Sequence, residues 1–470
     1  MSSRLETVCT EVLKRVTPSE SERKKVALLA KSLIEKVEQQ THKRGIKADV
    51  RLEGSVAKNT WLRDYPEIDV FIQVPTTTPR ETFGTTFLEI AKKATDGNKQ
   101  VQRFAEHPYL EAVVDDVWVN IVPCYKVKDG KWVSATDRTP FHTDFVKPLL
   151  DEQKSAEARL LKRFMKGVGV YGAEIKVGGF SGYLCELLVL NYGSFVNTLK
   201  AAAYWKQRTI IDYKAHYNKL EDAENMFSEP FVMVDPVDKE RNVAAAVRKT
   251  KLDEFVAASR AFLENPDLKF FYPPEVTPLN NKELQKKLGA RGSAVVFVSF
   301  NGDSVVPDVL WGQLYRSQKS LRNMLERHDF KVLNDTVWSN EINMNVFLFE
   351  VQTCSLPNMK KHNGPPIHQK EDCDKFLQKH LGATETVSGP RVEDGRWVVE
   401  TKRNYTDIAE LLKDKLVDGG KTVGVAEFVS KGVLDSAEIL VNKEIVKLYS
   451  ANPLFAKFLT LYLDGKPNWL

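Results

Sequence analysis

The sequence predicts a multidomain α+β protein with a mixed-sheet head, a helical neck and an α+β body and tail. At 470 residues the chain exceeds what one hydrophobic core usually supports. Short strand-like runs follow two helices in its first part, helical periodicity prevails in its middle, and strands alternate with helices in its last part. We therefore predict a head over residues 1–150, a neck over 151–265 and a body with tail over 266–470.

Two amphipathic helices open the head, over residues 5–16 and 19–43. Thr17, Pro18 and Glu20 predict how the second helix starts. The threonine is the expected N-cap, the proline takes the first helical position, and the glutamate closes a capping box.

Strands and helices further along the chain follow from the same periodicity rules. The predicted head strands cover residues 49–53, 67–74, 109–114 and 118–125, and the last two form a hairpin that turns at Asp115 and Asp116. Predicted neck helices cover 154–168 and 182–192; the body has strands at 293–300, 346–351 and 396–401 and helices at 308–328, 372–380 and 405–415. Proline and glycine predict loops at Pro274, 364–366 and 389–390.

Composition indicates a soluble globular protein. Hydrophobic residues make up 42% of the chain, its mean hydropathy is -0.34, and no apolar run is long enough to cross a bilayer. No secretory leader is visible, and the five cysteines form no C-x-x-C pair, so we expect free thiols and a cytoplasmic location. A net charge of +5 suits a polyanionic partner. The histidines follow no standard zinc spacing.

A Gly-Ser turn before an acidic strand is the most informative motif. Gly54 lets the backbone pass close to a phosphate, and Ser55 would offer donors at a helix start. Residues two apart on a strand face the same way, so Glu67 and Asp69 would project together while Ile68 enters the core. Such a pair alone is typical of the solvent face of an edge strand. After a strand and a Gly-Ser turn, it indicates a site for metal and triphosphate.

Nucleotidyl transfer needs carboxylates for two divalent ions and cations that position a triphosphate. The chain carries both, in motifs that resemble the archaeal-type, class I CCA-adding enzymes over essentially its whole length. The matching segments are GSxxKxTWL at 54–62, EIDVF at 67–71, VPCY at 122–125, RLLK at 159–162, GVYGAE at 169–174, GFSGYLCE at 179–186, DPVD at 235–238, RNVAA at 241–245 and LYLDG at 461–465.

The resemblance implies a nucleotidyltransferase head of the polymerase β type. It implies template-independent addition of C, C and A to the 3′ end of tRNA from CTP and ATP, with release of pyrophosphate. Two Mg²⁺ ions would be held by Glu67, Asp69 and the side chain at position 120. Nucleotide-binding roles are implied for Gly54 at the turn, Ser55 and Lys58 at phosphate, His142, Lys162 and Tyr171 at triphosphate and ribose, and Arg241 at the incoming base.

One position departs from the family pattern. Family members carry a third carboxylate on the strand before the Val-Pro-Cys-Tyr block, where this chain has Asn120. An amide keeps the shape, but it lacks the charge and cannot accept the proton of the attacking 3′-hydroxyl. We expect a rate loss of roughly 10²-fold or more, with nucleotide binding largely kept. Asp115 and Asp116 are expected to be turn residues and not replacements.

Asn120 has two explanations that stay open in the sequence. One is a deliberate change that traps a substrate complex, which the intact state of the other motifs favours; the other is a natural departure in a chain with lost or altered activity. Two other functions also stay open. The chain would then be a non-catalytic tRNA- or nucleotide-binding protein, or a related enzyme such as a poly(A) polymerase or oligoadenylate synthetase, against which the C-terminal region argues.

Basic and aromatic residues are mixed in three C-terminal segments, which suits phosphate contact and base stacking. They are a predicted basic turn at 360–366, the pair Arg396 and Trp397, and residues 402–405. Each segment alone is as typical of a solvated loop. By resemblance, this region binds the acceptor stem and T arm of tRNA by shape, and in the family it often mediates a homodimer.

Overall fold

The structure is a computed structural model that describes residues 2–104, 106–206, 208–303 and 305–470. The chain forms two units, one of Met1–Glu275 with Lys466–Leu470 and the other of Val276–Gly465. Within the described ranges, no helix has both the length and the apolar character needed to cross a membrane. The division into three domains stays a prediction.

The first unit contains a five-stranded sheet, a group of packed helices and a three-stranded sheet. Its helices and strands are α1 (Ser2–Val16), α2 (Glu20–Lys43), β1 (Asp49–Glu53), α3 (Gly54–Ala57), β2 (Glu67–Pro75), α4 (Thr86–Ala94), β3 (Lys99–Phe104), β4 (Pro108–Val114), β5 (Val117–Lys126), α5 (Thr139–Val146), α6 (Glu152–Val168), α7 (Gly182–Tyr192), α8 (Phe195–Ala202), β6 (Thr209–Ile211), α9 (Leu220–Met226), β7 (Phe231–Asp235), β8 (Asp238–Asn242) and α10 (Lys249–Glu264). Short 3₁₀ turns lie at Arg80–Phe83, Ala135–Arg138, Lys147–Leu149 and Leu268–Phe270.

The five-stranded sheet has the order β1-β2-β5-β4-β3, and only the β2–β5 pair among these runs parallel. Its apolar face, which includes Ile68 and Val70, packs against α2 and α4. Because side chains alternate along a strand, the polar residues of β2, β4 and β5 share the opposite face. That face holds the polar residues near the start of β2 and β5, whereas Phe71, Val122 and Cys124 further along it are buried.

The helix start predicted at Thr17 is wrong. Ser19 is the N-cap of α2: its hydroxyl accepts from the backbone N–H of Glu22, and the Glu22 carboxylate accepts from the backbone N–H of Ser19. The sequence contains two overlapping capping boxes two residues apart, and the helix uses the second, so Pro18 precedes the helix.

The region after α5 was predicted to be mainly helical, and its core is. The ring of Phe164 on α6 contacts Phe195, Phe255 and Phe262 from α8 and α10. The prediction missed the small sheet of β6, β7 and β8. β6 has only three residues, too few for an alternating pattern to be recognised.

The second unit contains a four-stranded and a three-stranded sheet with helices packed against them. Its elements are α11 (Asn281–Ala290), β9 (Ala294–Asn301), α12 (Pro307–Arg327), β10 (Val332–Ser339), β11 (Met344–Val351), β12 (Met359–Pro366), α13 (Lys370–His380), β13 (Thr386–Glu393), β14 (Arg396–Lys402), α14 (Ile408–Lys415), α15 (Glu427–Ser436), β15 (Glu438–Val441), α16 (Val446–Ala451) and α17 (Pro453–Asp464), with 3₁₀ turns at Lys421–Val423 and Asn442–Ile445.

Two predicted loops of this unit are strands. Residues 360–366, the predicted basic turn, belong to β12, and residues 389–390 belong to β13. Both strands lie at the edges of the β12-β14-β13 sheet, and their pairing with β14 is irregular near the prolines. An edge position tolerates proline because its missing N–H is not needed by a neighbour. Pro274 lies outside helices and strands, as predicted.

Candidate active site

Three predicted site residues meet on the polar face of the first sheet. Glu67 and Asp69 share that face because Ile68 between them is buried in the core, as predicted. Asn120 lies beside Asp69 in the parallel pairing of β2 with β5. Its Nδ2 donates to Glu67 Oε1 at 2.8 Å and to Asp69 Oδ1 at 3.0 Å. One amide therefore bridges the two carboxylates.

The arrangement fits a divalent cation. The Asn120 amide offers its positive end between two carboxylates, as a cation would, while its Oδ1 is buried without a hydrogen-bond partner. Burial and the neighbouring Glu67 raise the pKa of Asp69, so a second negative charge is disfavoured here in the absence of a cation. Carboxylate and amide oxygens are ligands that Mg²⁺ accepts. In the described part of the chain, no group of three or more His, Cys, Asp or Glu side chains is arranged to hold a metal ion.

Gly54 is required by its backbone angle and by Asp69. Its φ is 69°, in the region that favours glycine, and a Cβ there would lie 1.8 Å from Asp69 Oδ2. The turn therefore passes directly against the second carboxylate of the acidic strand. Ser55 follows on α3. The glycine sets the position of Asp69 as well as the turn.

A buried carboxylate, Glu186 of α7, binds two of the predicted phosphate-binding lysines. Lys58 Nζ lies 2.6 Å from Oε2, and Lys162 Nζ lies 2.8 Å from Oε1. Thr60 also donates its hydroxyl to Oε1, at 2.5 Å. Burial raises the pKa of Glu186, but Lys162 and Lys58 outweigh it and lower the value to about 2. Two buried cations thus share one carboxylate, and we call these four residues the Glu186 cluster.

A second buried carboxylate, Asp235 of β7, organises the other predicted nucleotide contacts. His142 Nε2 lies 2.9 Å from Asp235 Oδ2, and Arg241 donates to the same oxygen at 2.6 Å. The Tyr183 hydroxyl donates to Oδ1 at 3.1 Å, and the Tyr183 and His142 rings stack with centroids 4.1 Å apart. Burial raises the pKa of Asp235, but His142 and then Arg241 lower it to about 2.

Two cavities of the first unit are lined by some of the predicted site residues, whereas Gly54, Lys58, Asp69, Asn120 and His142 line neither. One of about 300 Å³ is lined by Ser55, Thr60, Glu67, Lys162 and Tyr171 on one side and by Arg103, Glu111 and Trp118 among others. The second, of about 960 Å³, is lined by Arg241 together with Trp132, Arg138 and Ser181. Burial raises the pKa of Tyr171 well above its usual range. The residues predicted to contact phosphate, Ser55 and Lys162, and the arginine predicted to contact the base, Arg241, therefore line separate cavities.

Glu186 and Asp235 lie inside motifs of the sequence, but no role is predicted for either residue. The signal was present for Glu186, which sits between Cys185 and Leu187 in an apolar helix. A carboxylate at such a buried position is almost always paired. Its partners come from residues 24 to 128 positions away, so only the fold reveals them.

Comparisons with known protein families cover most of the chain. Residues 31–142 match the model described as a nucleotidyltransferase domain. Residues 156–272 match the one described as tRNA nucleotidyltransferase, second domain, and residues 291–440 match the one described as CCA-adding enzyme, C-terminal domain.

Similar proteins named CCA-adding enzyme occur in several organisms. The protein of Methanosarcina barkeri is 40% identical over 440 residues, which cover 93% of this chain and 94% of its own. Those of Pyrobaculum islandicum and Haloarcula marismortui are 38% and 32% identical, over 90% and 99% of this chain and 96% and 100% of theirs. A solved structure of the Cid1 poly(U) polymerase aligns with 57% of this chain and 98% of its own at a TM-score of 0.44 and 15% identity, too low for an argument.

Proposed function

Since the chain belongs to the archaeal-type CCA-adding enzymes, we propose that it adds C, C and A to the 3′ end of tRNA at the acidic face of β2 and β5. CTP and ATP are the nucleotide substrates of this reaction, and pyrophosphate is released. The observation that carries the assignment of the site is one shared cavity. Glu67 lines it together with Ser55, Lys162 and Tyr171, so an acidic face and phosphate-type donors adjoin the same space.

The Glu186 cluster binds the triphosphate in this proposal. Lys58 and Lys162 carry two positive charges against the one negative charge of Glu186, so the cluster keeps a net positive charge for phosphate. The Ser55 hydroxyl and the Tyr171 ring complete the wall of the cavity. Lysine binds phosphate as a point charge, and here its ammonium is held in place before the nucleotide arrives.

The Asp235 cluster, His142, Tyr183 and Arg241 around Asp235, contacts the nucleoside in this proposal. The stacked His142 and Tyr183 rings offer a ribose surface, and Arg241 offers a guanidinium to the base. The buried carboxylate fixes all three side chains, so their donors are oriented in advance.

Nucleotidyltransferases depend on divalent metal, and we propose two Mg²⁺ ions held by the oxygens of Glu67, Asp69 and Asn120. When bound, Mg²⁺ activates the 3′-hydroxyl and neutralises the departing pyrophosphate. Asn120 contributes no charge and accepts no proton, so the chemical step is slower than with an aspartate, by roughly 10²-fold.

The proposal extends to partners. The second unit contacts the acceptor stem and T arm of tRNA, and lysines and arginines of β12 and β14 are the phosphate contacts. A homodimer and a cytoplasmic location stay predictions.

Nucleotide selection tests the proposal. With tRNA ending at the discriminator base and Mg²⁺, labelled CTP and ATP are expected to enter in the order C, C, A, while GTP and UTP are not. A poly(A) polymerase would add ATP alone, in a long run and to unrelated RNA. A pure binding protein would retain tRNA on a filter and add nothing.

A further inference from the structure

We propose that Glu111 of β4 is a further catalytic residue that supplies the carboxylate missing at position 120. In this proposal, which rests on the proposed function, Glu111 takes the proton of the attacking 3′-hydroxyl and assists Asn120 at the metal site. The activity that the chain keeps despite Asn120 then depends on Glu111.

The strand register carries the first part of the argument. Glu111 is the direct antiparallel partner of Asn120, so both side chains project from the same face of the sheet. Side chains so paired have Cβ atoms only about 4.5–5.5 Å apart. A glutamate is one methylene longer than an aspartate; its carboxylate here binds Arg103 of β3, so in this proposal it turns from that arginine towards the site on β5.

The strand order carries the second part. Ser55 on α3 follows β1, on one side of the Glu67 strand, whereas β5 and β4 lie on the other side. Nucleotidyl transfer needs triphosphate on one side of the metal-binding carboxylates and the attacking hydroxyl on the other. Glu111 lines the same 300 Å³ cavity as Glu67 and lies on the side opposite to Ser55 in strand order.

The hydrogen bonds of Glu111 leave one of its carboxylate oxygens available to accept a proton. Arg103 donates to Glu111 Oε1 through Nη2 at 2.7 Å and through Nε at 3.0 Å, and this orients the carboxylate. Among the described hydrogen bonds, Oε2 has none. Across the strand pair, the buried Oδ1 of Asn120 also has no partner. An unpartnered carboxylate oxygen and an unpartnered buried amide oxygen therefore belong to directly paired residues.

An ion pair with Arg103 is the simpler explanation of Glu111. It accounts for Oε1 but not for the unpartnered oxygen of Asn120. The other nearby acids do not compete: Asp115 and Asp116 have positive φ values of 50° and 65° and form the hairpin turn, as predicted. Glu111 is the acid that the hairpin places opposite Asn120.

The proposed step transfers a nucleotide from CTP or ATP to the 3′-oxygen of the RNA. The 3′-oxygen of the RNA bonds to the α-phosphorus of CTP or ATP, and the bond from that phosphorus to the bridging oxygen of the β-phosphate breaks. Its electron pair leaves with pyrophosphate. The proton of the 3′-hydroxyl goes to Oε2 of Glu111 and from there to water.

A four-chain comparison of labelled CMP incorporation tests this assignment. Glu111→Gln in the native chain is expected to lower the rate about 10²-fold, because the proton acceptor is lost. In the Asn120→Asp chain, where an aspartate takes over, the same change is expected to cost less than about 3-fold, since the two positions act as one unit. Glu89→Gln on the exposed side of α4 is the matched control and leaves both rates unchanged.

Mn²⁺ binding gives a second readout. Electron paramagnetic resonance with a non-hydrolysable CTP analogue is expected to show about 10-fold weaker Mn²⁺ binding for Glu111→Gln in the native chain, with no change for Glu89→Gln. Glu111→Asp keeps the charge and is expected to retain more activity than Glu111→Gln, which separates lost chemistry from lost folding.

Equal effects of Glu111→Gln in the native and Asn120→Asp chains would overturn the assignment while leaving CCA addition intact. Inactivity of all four chains, despite tRNA retention, would overturn the proposed function and the assignment together.

Discussion

The Glu186 cluster and the acidic face of β2 and β5 are both built on carboxylates, buried in the first and partly exposed in the second, but they differ in how charge is balanced. In the Glu186 cluster, two lysines and a threonine hydroxyl satisfy one carboxylate. On the acidic face, the only side-chain hydrogen bonds that the two carboxylates accept from the described residues come from the neutral amide of Asn120. The first region places two cations against one carboxylate, and the second places two carboxylates beside one neutral amide.

The difference separates binding from chemistry. In the cluster that contacts phosphate in our proposal, both lysines bind the buried carboxylate of Glu186, so its geometry persists in the absence of nucleotide. In our proposal the acidic face acquires its counter-charge from bound metal, and it is also where Asn120 occupies the position of the carboxylate that the resemblance predicts. We therefore expect a change at position 120 to alter the rate of the reaction and to leave nucleotide binding in place.

Gly54→Ala is the substitution that we expect to disturb the acidic face most. The new Cβ would overlap Asp69 Oδ2, so the carboxylate must move. A displacement of about 1 Å costs on the order of 10²-fold in rate, which we expect for CMP incorporation measured in the Asn120→Asp chain. Gly45→Ala is the control, because its φ of 65° imposes the same backbone strain and nothing lies within 4 Å of its Cβ position. Equal losses for both variants would show that strain alone is responsible.

Glu186→Gln disturbs the Glu186 cluster instead of the acidic face. Breaking a buried ion pair costs about 3–5 kcal/mol, because it leaves the lysines uncompensated. We expect a lower free energy of unfolding by urea titration and a KM for CTP raised about 10-fold, since the ammonium groups lose their orientation. Glu350→Gln removes the partner of Arg291 in the second unit, so it lowers stability without changing that KM. A normal KM for Glu186→Gln would contradict a binding role.

Acid is expected to remove the difference in free energy of unfolding between the native chain and Glu186→Gln. The folded pKa of Glu186, about 2, lies below the ordinary value of 4.5. The contribution of Glu186 to the free energy of unfolding is therefore complete above pH 4.5 and declines as the pH falls towards 2. A pKa shift of this size corresponds to about 3 kcal/mol. Urea titrations at pH 7 and pH 3 measure it. A difference that stays constant between these pH values would contradict the pairing.

The smallest effect is expected in the second unit. Lys402 is exposed at the end of β14, in a segment that mixes cations with aromatics. Lys402→Ala is expected to weaken tRNA binding about 3-fold and to lower the salt dependence by about one counterion, with no change in the KM for CTP. Lys282→Ala on α11 is the control. Unchanged tRNA binding would remove β14 from the RNA surface.

Local patterns predicted much of the site. The alternation of Glu67, Ile68 and Asp69 is a property of neighbouring residues, so the sequence contains it in full. The hairpin turn at Asp115 and Asp116 also fixes the partner of Asn120, because counting back equally from a two-residue turn reaches Glu111. The sequence therefore contains the pairing of Glu111 with Asn120.

Other features depend on packing that no local pattern contains. Glu186 meets Lys58 and Thr60 from another domain of the predicted division. Prolines that predicted loops at 364–366 and 389–390 fit edge strands, and edge position depends on the order of the sheet. The choice of Ser19 over Thr17 as N-cap depends on which of two equivalent boxes the helix uses.

The most direct test compares the native chain with its Asn120→Asp variant in the addition of labelled CTP and ATP to tRNA ending at the discriminator base, with Mg²⁺. We predict slow addition of C, C and A by the native chain and an increase of roughly 10²-fold in kcat for the variant, with KM for CTP changed less than about 3-fold. No incorporation by either chain, although both retain tRNA, would contradict the account and identify a binding protein on a transferase scaffold.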